Sequence, residues 1–151
     1  MSSRPFRVAL IGLGKIARDQ HVPAIEGSAD FELTATVDPA GEAIRGVPHF
    51  ASLEQLLQSK IEIGVAAICT PPRLRASLAK EALAAGLAVL LEKPPTASVA
   101  EAEALVRLAD RAGRTLFAAW HSREAAGVEP ARRWLTAVSY THLRAHETGR
   151  N

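Results

Sequence analysis

Short apolar runs alternate with longer segments of helical periodicity along most of the chain. The apolar runs are typical of strands in a parallel sheet, because such strands are buried on both faces. They predict strands at residues 7–11, 31–37, 47–50, 63–69, 88–91 and 115–120. The segments between these strands, and the one after the last of them, predict helices at residues 15–21, 53–58, 74–85, 99–112 and 129–135.

The ends of the predicted helices carry local signals. Ser52 and Ser98 are candidate N-caps of the helices that follow them, and Gln55, three residues after Ser52, would complete a capping box. Gly86 is suited to the C′ position of the helix before it. Pro23 is expected to break or kink the first helix and to leave a short turn after it. Strands that alternate with helices imply a doubly wound parallel sheet, the Rossmann type of α/β fold, with helices on both faces.

Composition excludes several classes of protein. The chain has 151 residues, of which 48% are hydrophobic and 23% charged, and its formal net charge is +2. No basic stripe with interleaved aromatic residues is present, so we expect no nucleic-acid partner. No apolar run approaches the roughly 20 residues that cross a bilayer, and none precedes the first strand, so we expect no membrane partner and no signal peptide. A single cysteine, Cys69, precludes an internal disulfide and favours a cytoplasmic location.

Residues 12–17, with the letters GLGKIA, connect the first predicted strand to the first predicted helix. A dinucleotide-binding loop occupies this position in a doubly wound sheet. Gly12 would allow the tight turn, and Gly14 the close approach of a pyrophosphate. Lys15 and Ile16 open the helix, whose N-terminal N–H groups would bind the phosphates. Without its structural context, the pattern fits an ordinary turn as well.

Asp38 ends the second predicted strand, 24 residues after Gly14 (38 − 14). A carboxylate near this spacing accepts hydrogen bonds from the ribose hydroxyls of the cofactor and repels a 2′-phosphate. Pro39 follows, where an NADP site would often carry arginine. These residues predict NAD as the cofactor, with NADP as the alternative, although an Asp-Pro pair is also ordinary turn chemistry.

Two further strands end in proline-rich segments. Thr70 and Pro71 close the fourth predicted strand, where they could stop the strand rigidly and also form an apolar wall against the cofactor. Glu92 and Lys93 close the fifth, at the edge where open α/β sheets bind ligands. Lys93 could be an ordinary solvated lysine or a cation that orients a substrate hydroxyl. Glu92 could steady the loop or pair with a cation.

Two histidines complete the set of candidate site residues. His121 follows the sixth predicted strand, so it is expected at the same edge as Lys93 and could contact the substrate. A lone histidine is otherwise more often structural. His21 ends the first predicted helix, and the sequence leaves open whether it lines the cofactor site or the helix surface.

Taken together, these segments resemble the N-terminal half of the glucose–fructose oxidoreductase, inositol dehydrogenase and rhizopine catabolism (Gfo/Idh/MocA) family. The most specific runs are similar to its group of bacterial D-galactose and L-arabinose 1-dehydrogenases. These runs are residues 14–25 (GKIARDQHVPAI), 69–72 (CTPP), 91–95 (LEKPP), 120–123 (WHSR) and 129–132 (EPAR).

The resemblance implies a function. Members of that group oxidise the anomeric hydroxyl of an aldose to its lactone and pass a hydride to NAD(P). It assigns a catalytic role to Lys93 and a place near the sugar to His121. The resemblance also implies a second, substrate-binding domain, which we expect to be absent from this chain. We therefore expect the fragment alone to be inactive and a homo-oligomer to form only in the full-length protein.

The resemblance ends before the C-terminus. We expect a dinucleotide-binding domain over residues 1–137. Residues 138–151 resemble a translated sequencing adapter, so we expect them to form a non-native or disordered tail. His142 and His146 in this tail lack a third ligand, so no metal site is expected. A related polyol, inositol or amino-sugar dehydrogenase, or a free-standing NAD-binding module, remain alternative functions.

Overall fold

The computed structural model describes residues 4–137, and the chain divides into two compact units between Ala119 and Trp120. The first unit contains six strands: β1 (Phe6–Ile11), β2 (Phe31–Val37), β3 (His49–Phe50), β4 (Val65–Ile68), β5 (Ala88–Leu91) and β6 (Leu116–Ala118). Its α-helices are α1 (Val22–Glu26), α2 (Leu53–Gln58), α3 (Pro72–Ala84) and α4 (Val99–Ala112). A π-helical turn, Ala17–His21, precedes α1.

The six strands form one parallel sheet in the order β3-β2-β1-β4-β5-β6. β2 and β3 are added on one side of β1, and β4, β5 and β6 follow on its other side, as in doubly wound nucleotide-binding folds. The predicted doubly wound α/β fold is therefore confirmed. β3, β4 and β6 are shorter than the predicted strands, although the N–H of Cys69 still donates to the carbonyl of Ile11 at 2.7 Å beyond the end of β4.

Alternate side chains of the strands enter two separate apolar clusters, as the two-residue period of a strand requires. The larger cluster joins the sheet to α2, α3 and α4, with residues such as Leu56, Leu83 and Leu105 fully buried. The smaller cluster joins the opposite face to the π turn and α1. Three helices thus pack on one face within the first unit, and one helical segment packs on the other.

The first helix differs from its prediction. Pro23 was expected to break or kink the helix; it does not break it, because the chain stays helical from Lys15 to Glu26. The π turn widens the helix just before the proline, and its final bond runs from the N–H of Val22 to the carbonyl of Ala17. This wider spacing accommodates a residue that has no N–H and would crowd the carbonyl four positions earlier. Pro23 then occupies the first turn of α1, where proline is tolerated.

The predicted helix caps are present. Ser52 Oγ accepts the N–H of Gln55 at 3.2 Å, and Ser98 Oγ accepts the N–H of Glu101 at 3.3 Å. The reciprocal bond of the capping box goes one residue further back than in the standard motif, since Gln55 Oε1 accepts the N–H of Ala51. Helix α3 begins at Pro72, earlier than predicted, because proline suits the first helical turn.

The second unit, described from Trp120 to Ala137, consists of a 3₁₀ turn (His121–Glu124) and helix α5 (Val128–Ala137). On α5, Glu129 forms ion pairs with Arg132 and Arg133. The expectations for residues 138–151, including His142 and His146, lie outside the described residues. Between residues 4 and 137, no helix combines the length and the apolar composition needed to cross a membrane.

Candidate functional site

The C-terminal ends of four neighbouring strands lie side by side along one edge of the sheet. Ile11 is in register with Val37 on β2 and with Ile68 on β4, and Ile68 is in register with Leu91 on β5. The residues that immediately follow these strands therefore share that edge. They include Gly12, Asp38, Cys69 and Glu92, with Lys93 next in the chain. This edge is the ligand-binding side of an open parallel sheet.

Gly12 follows β1 and lies against Thr70, just past the end of β4. Its φ is +89°, a conformation that residues with a Cβ rarely adopt. A Cβ on Gly12 would stand 2.8 Å from Thr70 Cγ2 and 2.9 Å from Thr70 N. Both the backbone angle and the available space thus require glycine at this position.

Gly14 has the opposite surroundings. A Cβ on Gly14 would meet no atom within 4 Å, so the fold itself has room for a side chain there. Open space at the start of a helix gives a phosphate access to the backbone N–H groups. Lys15 and Ile16 follow on the exposed side of this helix. The Lys15 ammonium pairs with Asp19, which raises the pKa of Lys15.

Asp38 connects the glycine loop to the end of β2. Its Oδ2 accepts the N–H of Leu13 at 2.7 Å, and its Oδ1 accepts the N–H groups of Ala40 at 2.9 Å and Gly41 at 2.6 Å. Burial by itself raises the pKa of this carboxyl, but these hydrogen bonds outweigh it, so the pKa lies below its ordinary value. Asp38 is therefore a carboxylate at neutral pH and stabilises its own turn.

Gly41 is a site residue that sequence reasoning missed. A Cβ there would stand 2.8 Å from Asp38 Cγ, so a side chain would displace the carboxylate. The available signal was a glycine three residues after an aspartate, a common turn arrangement.

An open cleft of about 690 Å³ runs from Gly12 and Asp38 to the first turn of α2 and along α3 as far as Glu81. Its walls include the side chains of Pro39, Leu74 and Leu78. Thr70 also lines the cleft, and its buried Oγ1 has no hydrogen-bond partner among the described residues. An unpartnered buried hydroxyl and the open space beside Gly14 both fit a polar ligand of dinucleotide size. Pro71, the N-cap residue of α3, is exposed next to Thr70.

The structure resolves the position that the sequence left open for His21. The π turn carries His21 to the end of β5, where its Nε2 lies 2.8 Å from Glu92 Oε1. Glu92 is buried, and its Oε2 accepts the N–H of Lys93 at 3.0 Å. Burial by itself raises the pKa of Glu92, but the hydrogen bonds from His21 and Lys93 outweigh it, and the pKa falls below its ordinary value. The Glu92 carboxylate thus lies inside the loop and holds its backbone.

Lys93 itself is exposed, and the peptide bond to Pro94 is cis. Within residues 4–119, no side chain forms an ion pair or a hydrogen bond with its ammonium. His121 begins the 3₁₀ turn of the second unit. Its predicted contact with the substrate stays a prediction.

Arg75 and Cys69 lie beneath the same edge. The Arg75 guanidinium is buried and contacts backbone carbonyls on both sides of Lys93, a role that no sequence motif indicated. Burial of Arg75 lowers its pKa. Burial, together with the charge of Glu92, raises the pKa of the Cys69 thiol to about 12. Cys69 is therefore an unreactive core residue at neutral pH.

Comparison with known proteins agrees with this geometry. The model of the GFO_IDH_MocA oxidoreductase family, with an NAD-binding Rossmann fold, matches residues 6–120. Galactose 1-dehydrogenase of Pseudomonas fluorescens is 46% identical over 99 residues, which are 66% of this chain and 32% of that protein.

Solved structures show the same similarity. A crystal structure of D-galactose-1-dehydrogenase from Rhizobium etli superposes with a TM-score of 0.87 at 41% identity, covering 92% of this chain and 45% of that one. The WlbA dehydrogenase of Bordetella pertussis, crystallised with NADH and UDP-GlcNAcA, gives a TM-score of 0.81 at 27% identity, with coverages of 89% and 42%.

The chain thus spans less than half the length of these relatives. The match covers the sheet, the glycine loop and the strand that ends in Glu92 and Lys93. The chain belongs to the Gfo/Idh/MocA family of oxidoreductases and contains that family's NAD-binding Rossmann domain.

Proposed function

We propose that this chain is the cofactor-binding part of an NAD(P)-dependent aldose 1-dehydrogenase, which oxidises the anomeric hydroxyl of a sugar to a lactone. The observation that supports it best is the placement of Lys93 and Gly12 at one sheet edge, with only β4 between their strands. The similarity to two galactose 1-dehydrogenases favours an aldose over other alcohols.

The cofactor would lie along the cleft that begins at Gly12. The N–H groups at the start of the first helix, beside Gly14, would bind the pyrophosphate. Asp38 Oδ2 accepts one hydrogen bond, from Leu13, so it retains a lone pair for a ribose hydroxyl. Thr70 Oγ1 and Pro71 would contact the part of the cofactor that passes the end of β4. When bound, the nicotinamide ring supplies the hydride acceptor.

Lys93 would hold the sugar hydroxyl that reacts. Oxidation breaks the C1–H bond, whose electron pair leaves as hydride, and the O–H bond, whose proton must pass to a base. A carbonyl forms between C1 and its oxygen. Lys93 can donate a hydrogen bond to that oxygen and, when neutral, receive the proton. His121 would provide a second contact with the sugar, and Glu92 would act by holding the Lys93 backbone.

The decisive experiment joins this chain to the C-terminal part of the Rhizobium D-galactose-1-dehydrogenase and measures NADH formation with a panel of aldoses, inositols and amino sugars. We expect oxidation of an aldose, and a loss of kcat of about 1,000-fold or more in the Lys93→Ala variant. Lys80→Ala, an exposed lysine on α3, is the matched control and should retain activity.

Each outcome of this experiment decides between the functions. Turnover of an inositol or an amino sugar alone would replace the aldose with that substrate class. NAD binding without turnover of any sugar would favour a free-standing NAD-binding module. Full activity of Lys93→Ala would exclude the proposed role of this lysine.

A further inference from the structure

Arg75 on α3 makes three hydrogen bonds to backbone carbonyls at the ends of two strands. Its Nε donates to the carbonyl of Thr70 at 2.7 Å. One terminal nitrogen, Nη1, donates to the carbonyl of Glu92 at 2.5 Å and also to that of Pro94. The side chain is buried, with 5% of the residue exposed. A guanidinium suits this task, because its donors point in fixed directions from one plane.

These bonds fix the backbone on both sides of Lys93. Arg75 holds the carbonyl of the residue before Lys93 and that of the residue after it. Glu92 holds the N–H of Lys93, and His21 holds Glu92 from the other side. The peptide group before Lys93 and the one that follows Pro94 are therefore anchored, whereas the Lys93 side chain is exposed.

The hydrogen bond from Arg75 Nε to the Thr70 carbonyl connects this loop to the cofactor cleft. Thr70 lies against Gly12 and lines the cleft at the end of β4. The Arg75 guanidinium thus binds to the end of β4, which borders the cleft, and to the end of β5, which carries Lys93. A shift of Arg75 would move the two relative to each other.

We propose that Arg75 is the positioning residue for Lys93: it sets the location of the Lys93 backbone relative to the cofactor cleft and does not itself touch substrate or cofactor. This inference rests on the proposed role of Lys93. A lysine side chain has many rotamers, so a fixed backbone reduces the volume that its ammonium explores. Misplacement of a reacting group by about 1 Å can lower a rate by about 100-fold.

The first test uses the 151-residue chain without any substitution. In ¹⁵N-labelled protein, the Nε–H of Arg75 should give a sharp NMR signal whose hydrogen exchanges slowly, because it is buried and bonded to the Thr70 carbonyl. A rapidly exchanging Arg75 Nε–H would overturn the inference, since the guanidinium would then be in water.

The second test uses Arg75→Met, which is similar in length and has no donors, and Arg75→Lys, which keeps the charge and loses the planar fork. We expect the amide of Lys93 to exchange at least about tenfold faster in Arg75→Met, because a hydrogen bond to a charged group is lost on each side of it. Arg75→Lys should fall between that variant and the original chain. Arg73→Met, an exposed arginine on the same helix, is the control and should leave the exchange unchanged.

The fused enzyme described above separates positioning from folding. We expect kcat to fall by about 10- to 100-fold in Arg75→Met, while the Kd of NADH changes by less than about threefold. If Arg75→Met does not fold, the NMR signal and Arg75→Lys decide the question. Exchange at Lys93 within about twofold of the original in the folded Arg75 variants would overturn the inference.

The two proposals fail differently. An inactive fused enzyme would contradict the proposed function, but the exchange rates would still show whether Arg75 positions the Lys93 loop. An active fused enzyme whose kcat is unaffected by loss of Arg75 would contradict this inference alone.

Discussion

The two glycines of the nucleotide loop serve different purposes, although the sequence motif gives them equal weight. Gly12 is required by the fold, because its φ is positive and Thr70 occupies the space that a Cβ would need. Gly14 is under no such constraint within the protein, since the space beside it is open. The fold itself therefore does not require glycine at position 14, and we propose that the approach of the cofactor pyrophosphate does.

Substitution of these glycines should separate stability from cofactor binding. We expect Gly14→Ala to leave the free energy of unfolding within about 0.5 kcal/mol and to weaken NADH binding at least about tenfold, because the added methyl group occupies the phosphate space. Gly12→Ala should lower the free energy of unfolding by about 2 kcal/mol or more. Urea unfolding and NADH titration measure the two effects.

Gly46→Ala is the matched control for the backbone angle. Gly46 also has a positive φ, of +82°, but a Cβ there would meet nothing within 4 Å. Its destabilisation should therefore be smaller than that of Gly12→Ala. Equal losses in the two variants would show that contact with Thr70 contributes nothing.

Asp38 combines a structural and a proposed specificity role in one carboxylate. Its three backbone hydrogen bonds mean that a large replacement would disrupt the turn as well as the cofactor site. Asparagine keeps the shape and one acceptor oxygen and removes the charge.

Asp38→Asn should therefore test the choice between NAD and NADP. We expect the ratio of NADP to NAD affinity to rise by about tenfold or more, because the negative charge that repels a 2′-phosphate is gone. Isothermal titration with both cofactors measures the ratio. Glu54→Gln, at the far wall of the cleft, is a charge-matched control. An unchanged ratio in Asp38→Asn would remove Asp38 as the source of the preference.

Among the helices, the first one shows how two local effects, a proline and a π turn, act together. A proline by itself favours a break in a helix, yet the π turn accommodates Pro23, and the segment stays helical to Glu26. That conformation places His21 against Glu92 at the end of β5. The position of His21 thus depends on an irregularity that neither helical periodicity nor proline content predicts.

Helix α4 offers a simpler test, because its N-terminal cap was evident in the sequence. Ser98→Ala removes the acceptor for the N–H of Glu101 and should lower the free energy of unfolding by about 1 kcal/mol. Ser77→Ala lies within α3, where the hydroxyl bonds to the carbonyl of Leu74, and should change stability by less than about 0.5 kcal/mol. A similar loss in both variants, measured by urea unfolding, would show that the cap adds nothing.

Across the first unit as a whole, buried charges collect at the sheet edge that carries the candidate site. Glu92 and Arg75 are both buried, and each is engaged by hydrogen bonds rather than left isolated. The pKa of Glu92 is lowered, so the native state favours its charged form. That preference contributes stability above the ordinary glutamate pKa of about 4.3, and the contribution is lost as the pH falls through the lower native value.

The acid sensitivity of the fold should therefore depend on Glu92. We expect Glu92→Gln to be less stable than the original at pH 7, and the difference to shrink as the pH falls from 6 to 3.5. Urea unfolding across this range measures it. Glu103→Gln, an exposed glutamate on α4, should show a pH profile parallel to the original. A parallel profile for Glu92→Gln would mean that its carboxylate is not preferentially charged in the folded state.

Most elements, the parallel sheet and the edge that carries the candidate site could be predicted from the amino-acid sequence. They depend on local patterns: apolar runs, caps, and glycine or proline at strand ends. The three-dimensional structure was needed to show that Thr70 excludes a side chain at Gly12 and that Gly41 makes room for Asp38. It alone also brought His21 to Glu92 and Arg75 to the backbone around Lys93. The physical reason is that these contacts join residues far apart in sequence through directional hydrogen bonds and close packing, which no periodicity encodes.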